Sequence, residues 1–409
     1  MEVIRCRICK NEKLDNFLQL GPTPLANNFL KNEQLNLSEN IYPLDLCFCE
    51  NCGLVQLSYV VPPELMFKNY LWVSGISDTI PKHFQQLAKE ASKVIKTNGN
   101  SLIIDIGSND GTLLKCFMNL GLRVLGVEPA TNIAEIAKKN GVETLNDFFN
   151  ESTAVKIVKD KGKSKIITAT NVVAHIDDLD GLLKGVSILL EDNGVFVIEV
   201  PYLLDMIEEN EFDTVYHEHL SYFAIRPLVE LLKNHNMEIF DIKRFPVHGG
   251  GIRVYVKRHY AKIPVTGTVK KFLENEEKFR LHTLDTYKKF AERIKTLRDN
   301  LVLLLKHLRS SGKKIVGYGA AAKGNTLLNY YKIDKNILDY IADKNKLKQG
   351  LYSPGMHIPV VSSEKILEDK PDYVLILAWN FADEIIKQQE KYRAIGGKFI
   401  IPIPEIKII

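Results

Sequence analysis

The densest group of ionisable side chains in this sequence lies between Asp213 and Phe223. Between Tyr216 and Tyr222 the chain carries two imidazoles, a carboxylate and two phenols: Tyr216, His217, Glu218, His219 and Tyr222. An imidazole that a neighbouring carboxylate orients can act as a general base. Two other interpretations stay open at this point. The imidazoles could bind a metal with a third ligand from elsewhere, or the stretch could be a polar loop that covers a sheet.

Five of the six cysteines fall within the first 52 residues. Cys6 and Cys9 form one C-x-x-C pair, and Cys49 and Cys52 form another. Each pair can direct two thiolates at one tetrahedral centre, and four protein ligands leave no open coordination position. The sequence therefore predicts a structural zinc site, with the fifth thiol, Cys47, packed in the core. A redox role is disfavoured, because neither pair opens a helix after a strand.

A small-residue turn, Asp105–Gly111, follows an apolar run that predicts a buried strand. The next apolar strand ends in an acid, where many α/β proteins place the acceptor for ribose hydroxyls. The turn has the form D-x-G-x-x-x-G and not the G-x-G-x-x-G of a pyrophosphate site. These features favour S-adenosylmethionine. The expected contacts surround the two strand ends: Asp105, Gly107, Ser108, Asn109, Gly111, Glu128 and Pro129.

Later strand ends add candidates for the same pocket. Asp147 and Phe148 lie near the next predicted strand and would offer an acid and an aromatic wall to the adenine. Asn171 and His175 follow a further apolar strand, where side chains would face the cofactor and the acceptor. For His175 a purely structural role stays open.

A second glycine-rich turn, Gly317–Gly324, lies close to the carboxyl-terminal end of the sequence. Backbone N–H groups at a helix start attract anions, and Lys323 adds a positive charge. We expect the diphosphate of a nucleotide sugar here, with Tyr318 and Lys323 as contacts; NAD or a purely structural turn stay open. A glycine-rich stretch upstream adds two residues that would close over an anionic substrate, His248 and Arg253.

Alternating strands and helices must position these groups. Apolar runs recur from residue 102 to 200 and again from 315 to 401, which is typical of parallel sheets with helices on both faces. A single apolar stripe from Tyr287 to Leu308 predicts a long helix between them. We predict an α/β protein with four regions: a zinc-binding domain at 1–75, a Rossmann-like methyltransferase domain at 76–260, a helical connection at 261–310 and a Rossmann-like domain at 311–409.

Composition limits the partners. The chain has 409 residues, a net charge of +4, 45% hydrophobic and 25% charged residues. Without a long basic run, this charge disfavours a nucleic-acid partner. No apolar run approaches bilayer-spanning length and the first residues have no apolar signal core, so we expect a cytoplasmic protein without membrane contact. We expect a monomer or a small homo-oligomer.

These motifs, in this order, resemble the nucleotide-sugar C-methyltransferases that make branched deoxysugars, of the dTDP-sugar C-3'-methyltransferase type. The likeness covers essentially the whole chain and is carried by Cys6-x-x-Cys9, residues 24–27, Cys49-x-x-Cys52, and residues 105–111, 171–175, 216–223, 248–250 and 317–324. It implies a zinc-binding domain, a central methyltransferase sheet and a third domain that helps to hold the dTDP-sugar. It also implies that His219 is the catalytic base beside Tyr216 and Glu218, and that Tyr70 reaches the site.

The leading hypothesis is methyl transfer to a sugar carbon next to a ketone. Carbon is a poor nucleophile, so a base must first remove the α-proton, and the enolate then attacks the sulfonium methyl. We expect His219 to be that base, with Glu218 or His217 orienting it. Tyr216 or Tyr222 would stabilise the enolate oxygen, and His217 is also a candidate substrate contact.

Three other functions stay open on the sequence. An O- or N-methyltransferase would use the same cofactor without an enolate. A nicotinamide-dependent sugar oxidoreductase would use the Gly317–Gly324 turn. A zinc-bearing interaction module would keep only a vestigial methyltransferase sheet.

Overall fold

The computed structural model describes residues 1–67, 74–76, 79–245 and 249–409, and this part of the chain forms three β-sheets. The predicted fold class is confirmed: a small cysteine-bearing sheet, a central α/β sheet and a carboxyl-terminal α/β sheet. Within the described residues, no helix has the length and apolar character needed to cross a membrane.

The first sheet is antiparallel and has the order β1-β2-β3-β9. Its first three strands are β1 (Asp15–Gln19), β2 (Asp45–Phe48) and β3 (Val55–Leu57), and β2 and β3 are almost completely buried. The fourth, β9 (Ser221–Tyr222), comes from the middle of the chain and pairs with β3. The cysteine-bearing region is therefore joined by backbone hydrogen bonds to the stretch that follows His219.

The central sheet has the order β10-β11-β8-β7-β4-β5-β6, with five parallel strands and two antiparallel strands at one edge. The parallel core is built from continuous apolar runs, as expected for strands covered on both faces. The strands are β4 (Leu102–Ile106), β5 (Arg123–Val127), β6 (Thr144–Leu145), β7 (Ser164–Thr170), β8 (Leu190–Pro201), β10 (Met237–Phe245) and β11 (Gly251–Arg258).

Amphipathic helices cover both faces of this sheet. In α2 (Ile80–Val94) the buried residues recur at helical spacing, at Ile80, Phe84, Leu87 and Ala91. The other helices of this part of the chain are α1 (Pro63–Phe67), α3 (Thr112–Met118), α4 (Thr131–Lys139), α5 (Glu151–Lys161), α6 (Leu179–Leu189), α7 (Leu203–Glu208) and α8 (Ile225–Lys233).

Two helices lead to the last sheet, α9 (Thr268–Lys278) and α10 (Leu284–Ser310). The predicted stripe on α10 is buried, and the ring of Tyr287 packs 5.0 Å from Phe17 and 4.7 Å from Phe48, centroid to centroid. The long helix thus packs on the protein's own first sheet, and a coiled coil is not needed to bury its apolar side.

The last sheet has the order β14-β13-β12-β15-β16-β17 and is parallel except for β17. Its strands are β12 (Ile315–Tyr318), β13 (Ile341–Asp343), β14 (Val360–Ser362), β15 (Tyr373–Ile376), β16 (Lys398–Ile401) and β17 (Lys407–Ile408). Its helices are α11 (Ala322–Tyr331), α12 (Lys365–Asp369), α13 (Ala382–Gln388) and α14 (Glu390–Ala394).

Candidate active site

The four paired cysteines form a compact cluster beside the first sheet. Their sulfur atoms all lie within 4.8 Å of one another, with Cys6 3.4 Å from Cys52 and Cys9 3.5 Å from Cys49. Sulfur atoms about 2.3 Å from one tetrahedral zinc lie about 3.8 Å apart. The donor set and its spacing therefore fit zinc. Cys47 points elsewhere, 3.4 Å from the carbonyl of Gln56, as expected for a core residue.

A cavity of about 820 Å³ lies where the parallel strands of the two α/β sheets end. Its walls come from the carboxyl ends of β4, β5, β7 and β8 on one side, and of β12 and β13 on the other, with residues of the first region closing it. Thirteen of the predicted site residues line it: Asp105, Gly107, Ser108, Asn109, Glu128, Pro129, Phe148, Asn171, His175, Tyr216, His219, Tyr318 and Lys323. Residues predicted from separate motifs thus surround one space.

The Asp105–Gly111 turn is held together by the acid at the end of β5. The backbone N–H of Asn109 donates to Glu128 Oε2 at 2.9 Å, and that of Ala130 donates to Oε1 at 2.8 Å. A carboxylate offers about four acceptor positions, so two remain for a ligand. Gly107 has φ +68°, and a Cβ there would lie 2.7 Å from Val172. Only glycine fits this turn without strain.

Two polar residues, Asp105 and Asn171, line the cavity at the ends of β4 and β7. Asp105 is fully buried and accepts a 2.6 Å hydrogen bond from Thr168 Oγ1. Burial raises the pKa of the Asp105 carboxyl to about 7. Asn171 has φ +54°, in the left-handed region that asparagine tolerates. This wall is therefore polar and, from its side chains, neutral to negative.

Two predicted cofactor residues lie outside the cavity lining. Gly111 is the N-cap residue that precedes α3, with φ +79°, and it shapes the turn instead of lining the cavity. Asp147 is exposed, and its carboxylate accepts the N–H of Phe148 at 2.8 Å, so only Phe148 contributes to the wall.

His219 is oriented by two hydrogen bonds of opposite sense. Its Nδ1 lies 2.7 Å from the carbonyl oxygen of Thr214, which can only accept, so Nδ1 carries the proton. Nε2 then holds the lone pair and accepts from the hydroxyl of Tyr216 at 2.8 Å. Burial raises the pKa of Tyr216 well above its usual value, so the phenol stays neutral. The result is a basic nitrogen at the cavity wall.

His175 lies beside His219, with ring centroids 5.0 Å apart. Burial lowers the pKa of His175 to about 4, which keeps this imidazole uncharged at neutral pH. This placement agrees with the prediction that residues 171–175 and the 213–223 stretch face the same pocket.

Three residues of the 213–223 stretch do not face the cavity, which corrects the expected orienting and binding roles. His217 is buried against Tyr42, with Nε2 3.3 Å from the carbonyl of Tyr42. Tyr222 belongs to β9 inside the core. Glu218 accepts a 2.6 Å hydrogen bond from Asn27 Nδ2. Adjacent side chains point in different directions, and the Thr214 carbonyl takes the orienting position instead.

The Gly317–Gly324 turn repeats the plan of the first turn with opposite charge. The N–H of Ala320 donates to Asp343 Oδ2 at 2.6 Å. Lys323 lines the cavity, and its ammonium lies 4.8 Å from the ring centroid of Trp379. Trp379 Nε1 in turn donates to the buried Asp213 at 2.7 Å.

Lys348 is a buried, charged residue of the cavity that the sequence did not predict. Its side chain is 5% exposed and Nζ donates to the carbonyl of Ala320 at 2.7 Å. In the described part of the chain, no carboxylate lies within ion-pair distance of this ammonium, although the charges of Asp343 and Glu218 act on it. Burial lowers its pKa. A lysine five residues beyond a strand-end acid was the one available signal, and it is a weak one.

Arg253 is not available to a substrate in this structure, which corrects another expectation. It is 3% exposed, and its guanidinium is held by Glu199 at 2.6 Å and by Glu90 at 2.8 Å. From β11 it thus links β8, which carries Glu199, to α2, which carries Glu90. The two other predicted substrate contacts, Tyr70 and His248, lie outside the described residues.

Comparison with known proteins places this geometry in a family. Residues 6–67 match the model of a zinc binding domain, residues 80–241 a methyltransferase domain, and residues 246–404 a C-methyltransferase C-terminal domain. C-methyltransferase NovU from Streptomyces niveus is 35% identical over 404 residues, 99% of this chain and 96% of that protein. The chain belongs to the C-methyltransferase family. The resemblance stated from the motifs is thereby confirmed.

Two further matches of this C-methyltransferase cover less of the chain. A ubiquinone biosynthesis O-methyltransferase from Pelagibacter ubique is 28% identical over 130 residues, 32% of this chain and 52% of that protein. A solved SAM-dependent methyltransferase from Thermotoga maritima is 18% identical, with a TM-score of 0.33, over 44% of this chain and 90% of its own.

The family settles the class of reaction. The protein is an S-adenosylmethionine-dependent C-methyltransferase with a zinc-binding domain, so the predicted cofactors are confirmed. An oxidoreductase, an O- or N-methyltransferase and a vestigial module are all disfavoured by the full-length match to a C-methyltransferase.

Proposed function

We propose that this C-methyltransferase acts on a nucleotide-linked keto-deoxysugar, of which a dTDP-sugar is the first candidate. The two turns on opposite sides of one cavity support the proposal, because they suit different ligands. The Glu128 side offers carboxylate oxygens to ribose hydroxyls. The opposite side offers the start of α11 and two ammonium groups, Lys323 and Lys348, to a diphosphate. The keto-sugar then lies between them.

The cofactor fits the first side through groups already in place. Glu128 keeps free acceptor positions, the Gly107 turn lets the backbone approach, and Phe148 supplies an aromatic wall. Bound S-adenosylmethionine supplies an electrophilic methyl group to a carbon nucleophile.

His219 is the proposed base, and its tautomer carries the argument. With the proton held on Nδ1 by the Thr214 carbonyl, Nε2 is the atom that can accept a proton from the carbon next to the ketone. When the Tyr216 hydroxyl turns from Nε2 to the substrate oxygen, it can donate to the enolate oxygen that forms. The proton moves from carbon to Nε2, and the electron pair of the C–H bond moves into the enolate.

The neutral state of His175 supports this assignment. A second charged imidazole 5.0 Å from His219 would lower the basicity of Nε2, and burial prevents that charge at neutral pH. We propose that His175 is a wall of the acceptor pocket and that Glu218 acts on the site indirectly, through Asn27 and the charge of Lys348.

The division of the chain at 75/76, 260/261 and 310/311 stays a prediction, as do the cytoplasmic location and the oligomeric state. With those boundaries the Asp105–Gly111 turn belongs to the second region and the Gly317–Gly324 turn belongs to the fourth.

Replacing His219 tests the proposal. His219→Asn should lower the turnover number by about a hundredfold to ten-thousandfold and slow exchange of the substrate α-proton with deuterated water. Calorimetry should show unchanged affinity for S-adenosylmethionine. The matched control is His259→Asn, because that imidazole is exposed and does not line the cavity.

The substrate class is tested separately by mass spectrometry. Keto-deoxysugars linked to dTDP, GDP or CDP are incubated with enzyme and cofactor, and a gain of one methylene bound to carbon is the expected result. Full turnover and exchange by His219→Asn would reassign the base, and methylation of oxygen or nitrogen would exclude the proposed reaction.

A further inference from the structure

We infer that the four-cysteine centre also positions His175 and His219, the two histidines at the cavity wall, and that it does so through β3. A zinc site with four protein ligands has no position for substrate, so its only route to the chemistry is geometric. The inference rests on the proposed role of His219. The cysteine pairs contact two histidine segments, residues 174–177 around His175 and residues 219–221 around His219.

The second cysteine pair leads directly into the strand that carries the connection. Cys49 N–H donates to the carbonyl of Leu54 at 2.9 Å, and the N–H of Gly53 donates to the carbonyl of Cys49 at 2.8 Å. β3 begins at Val55, three residues after Cys52. The position of β3 is thus set by the same turn that presents two of the thiolates.

β3 holds the segment that follows His219. In the pairing of β3 with β9, Gln56 lies opposite Ser221, and the N–H of Leu57 donates to the carbonyl of Leu220 at 3.0 Å. Leu220 is the residue next to His219. A shift of β3 would therefore move the backbone on which the imidazole is carried.

The same residue links the two histidine segments. The N–H of Leu220 donates to the carbonyl of Ala174, next to His175, at 2.7 Å. Hydrogen bonds on its two sides thus connect β3 to the His219 segment and that segment to the His175 segment.

The first cysteine pair reaches the His175 segment through Arg7, which lies between Cys6 and Cys9. Its guanidinium is almost completely buried and donates to the carbonyl of Leu57 at 3.2 Å and to Asp177 Oδ1 at 2.8 Å. Asp177 lies two residues beyond His175 and lines the cavity. One planar fork therefore spans β3 and the cavity wall, a geometry that lysine cannot reproduce.

Arg7 is accordingly a positioning residue. Its replacement should shift the positions of His175 and His219 and leave the cofactor site intact. In Arg7→Gln we expect the turnover number to fall about tenfold, with the affinity for S-adenosylmethionine within about twofold of wild type. Asp177→Asn should give a loss no larger than that of Arg7→Gln, because it affects one of the two guanidinium contacts. The double variant should be no worse than Arg7→Gln alone, because Asp177 acts through Arg7. Arg7→Lys should recover part of the loss.

A readout independent of activity separates this inference from the proposed function. In ¹⁵N-histidine NMR spectra, Arg7→Gln and zinc removal by a chelator should both shift the imidazole signals of His219 and His175. Amide exchange at Leu220 should become faster in both. The matched control is Arg5→Gln, since Arg5 is exposed and its guanidinium pairs with the exposed Glu12.

Two outcomes would overturn the inference. Unchanged imidazole signals and an unchanged turnover number in Arg7→Gln would show that the cysteine centre stabilises its own region and does not position the histidines. Equal effects of Arg5→Gln and Arg7→Gln would show a nonspecific charge effect. If His219→Asn stays active while Arg7→Gln still shifts the His219 signals, the proposed base is wrong but the coupling stands.

Discussion

The turns after β4 and after β12 share one plan and differ in charge. Each turn follows the strand that comes first along the chain in its α/β sheet, and each leads into a helix, α3 or α11. In each, a backbone N–H of the turn donates to the acid that ends the next strand, Asn109 to Glu128 and Ala320 to Asp343. Each also contains a glycine with positive φ. The local backbone solution is therefore the same.

The side chains around the two turns make the difference. The first turn begins with Asp105, whereas the corresponding position two residues before the second turn's glycine is Gly317. The second turn has Lys323 and Lys348 on the cavity wall, and its strand-end acid is Asp343. The two sides of the cavity therefore share a backbone plan and differ in charge, and this difference is the reason why we propose ribose hydroxyls for the first side and a diphosphate for the second.

The sharpest test of the shared backbone plan is a methyl group at each turn glycine. A Cβ at Gly107 would lie 2.7 Å from Val172, and one at Gly319 would lie 2.7 Å from Ala378, and both residues have positive φ. Left-handed strain and overpacking together should make each Gly→Ala variant about 3 kcal/mol less stable to urea unfolding.

The control for this pair is Gly121→Ala. Gly121 has φ +77° but open space around its Cβ position, so backbone strain alone should cost about 1 kcal/mol. A Gly319→Ala variant as mild as this control would contradict the similarity of the two turns.

Asp105, the acid that distinguishes the first turn, should make the free energy of unfolding depend on pH. The folded pKa of Asp105 is about 7 and its ordinary value is 3.8, so the folded state keeps a proton that the unfolded chain has released. Stability from this group is therefore fully present below about pH 4 and is lost as pH rises through about 7. Between about pH 5.5 and about pH 8.5, wild type should lose about 2 kcal/mol relative to Asp105→Asn.

The measurement is urea unfolding of both proteins at several pH values. Asp160→Asn, which changes an exposed acid on α5, should show no such relative shift. Parallel stability curves for wild type and Asp105→Asn would show that burial of this carboxyl has no energetic consequence.

The division of labour between the turns predicts a crossed pattern of affinities. Glu128→Gln should weaken S-adenosylmethionine about tenfold and leave dTDP binding unchanged, because a charged acceptor is lost only on the first side. Lys348→Met should weaken dTDP about tenfold and leave the cofactor unchanged. Calorimetry with each ligand measures both.

Lys346→Met is the matched control for Lys348→Met, since Lys346 is an exposed lysine two residues away. If both lysine variants weaken dTDP equally, the effect is one of overall charge and the second turn is not a diphosphate site.

Much of this molecule follows from local sequence. The apolar runs predicted the parallel strands, the stripe from Tyr287 to Leu308 predicted α10, and two C-x-x-C pairs predicted a cluster that fits zinc. Each signal depends on neighbours along the chain, where spacing alone carries the information. For the same reason the turn at Asp105–Gly111 and the acid at Glu128 could be matched to a cofactor.

The cavity's chemistry could not be obtained in that way. The orienting partner of His219 is a carbonyl, which every residue possesses, and the side chains of Glu218 and His217 point elsewhere although they are adjacent in sequence. Arg253 was predicted to contact substrate but is neutralised by two acids from distant elements.

Residue types and short spacings were enough to specify the elements, the metal ligands and the two glycine turns. Which groups face the cavity, the presence of Lys348 among them, and the link that Arg7 makes between the cysteine region and the histidine segments all depend on how the chain packs. Burial, ion pairing and the direction of a lone pair are set by atoms that lie far apart along the chain, and no local pattern records them.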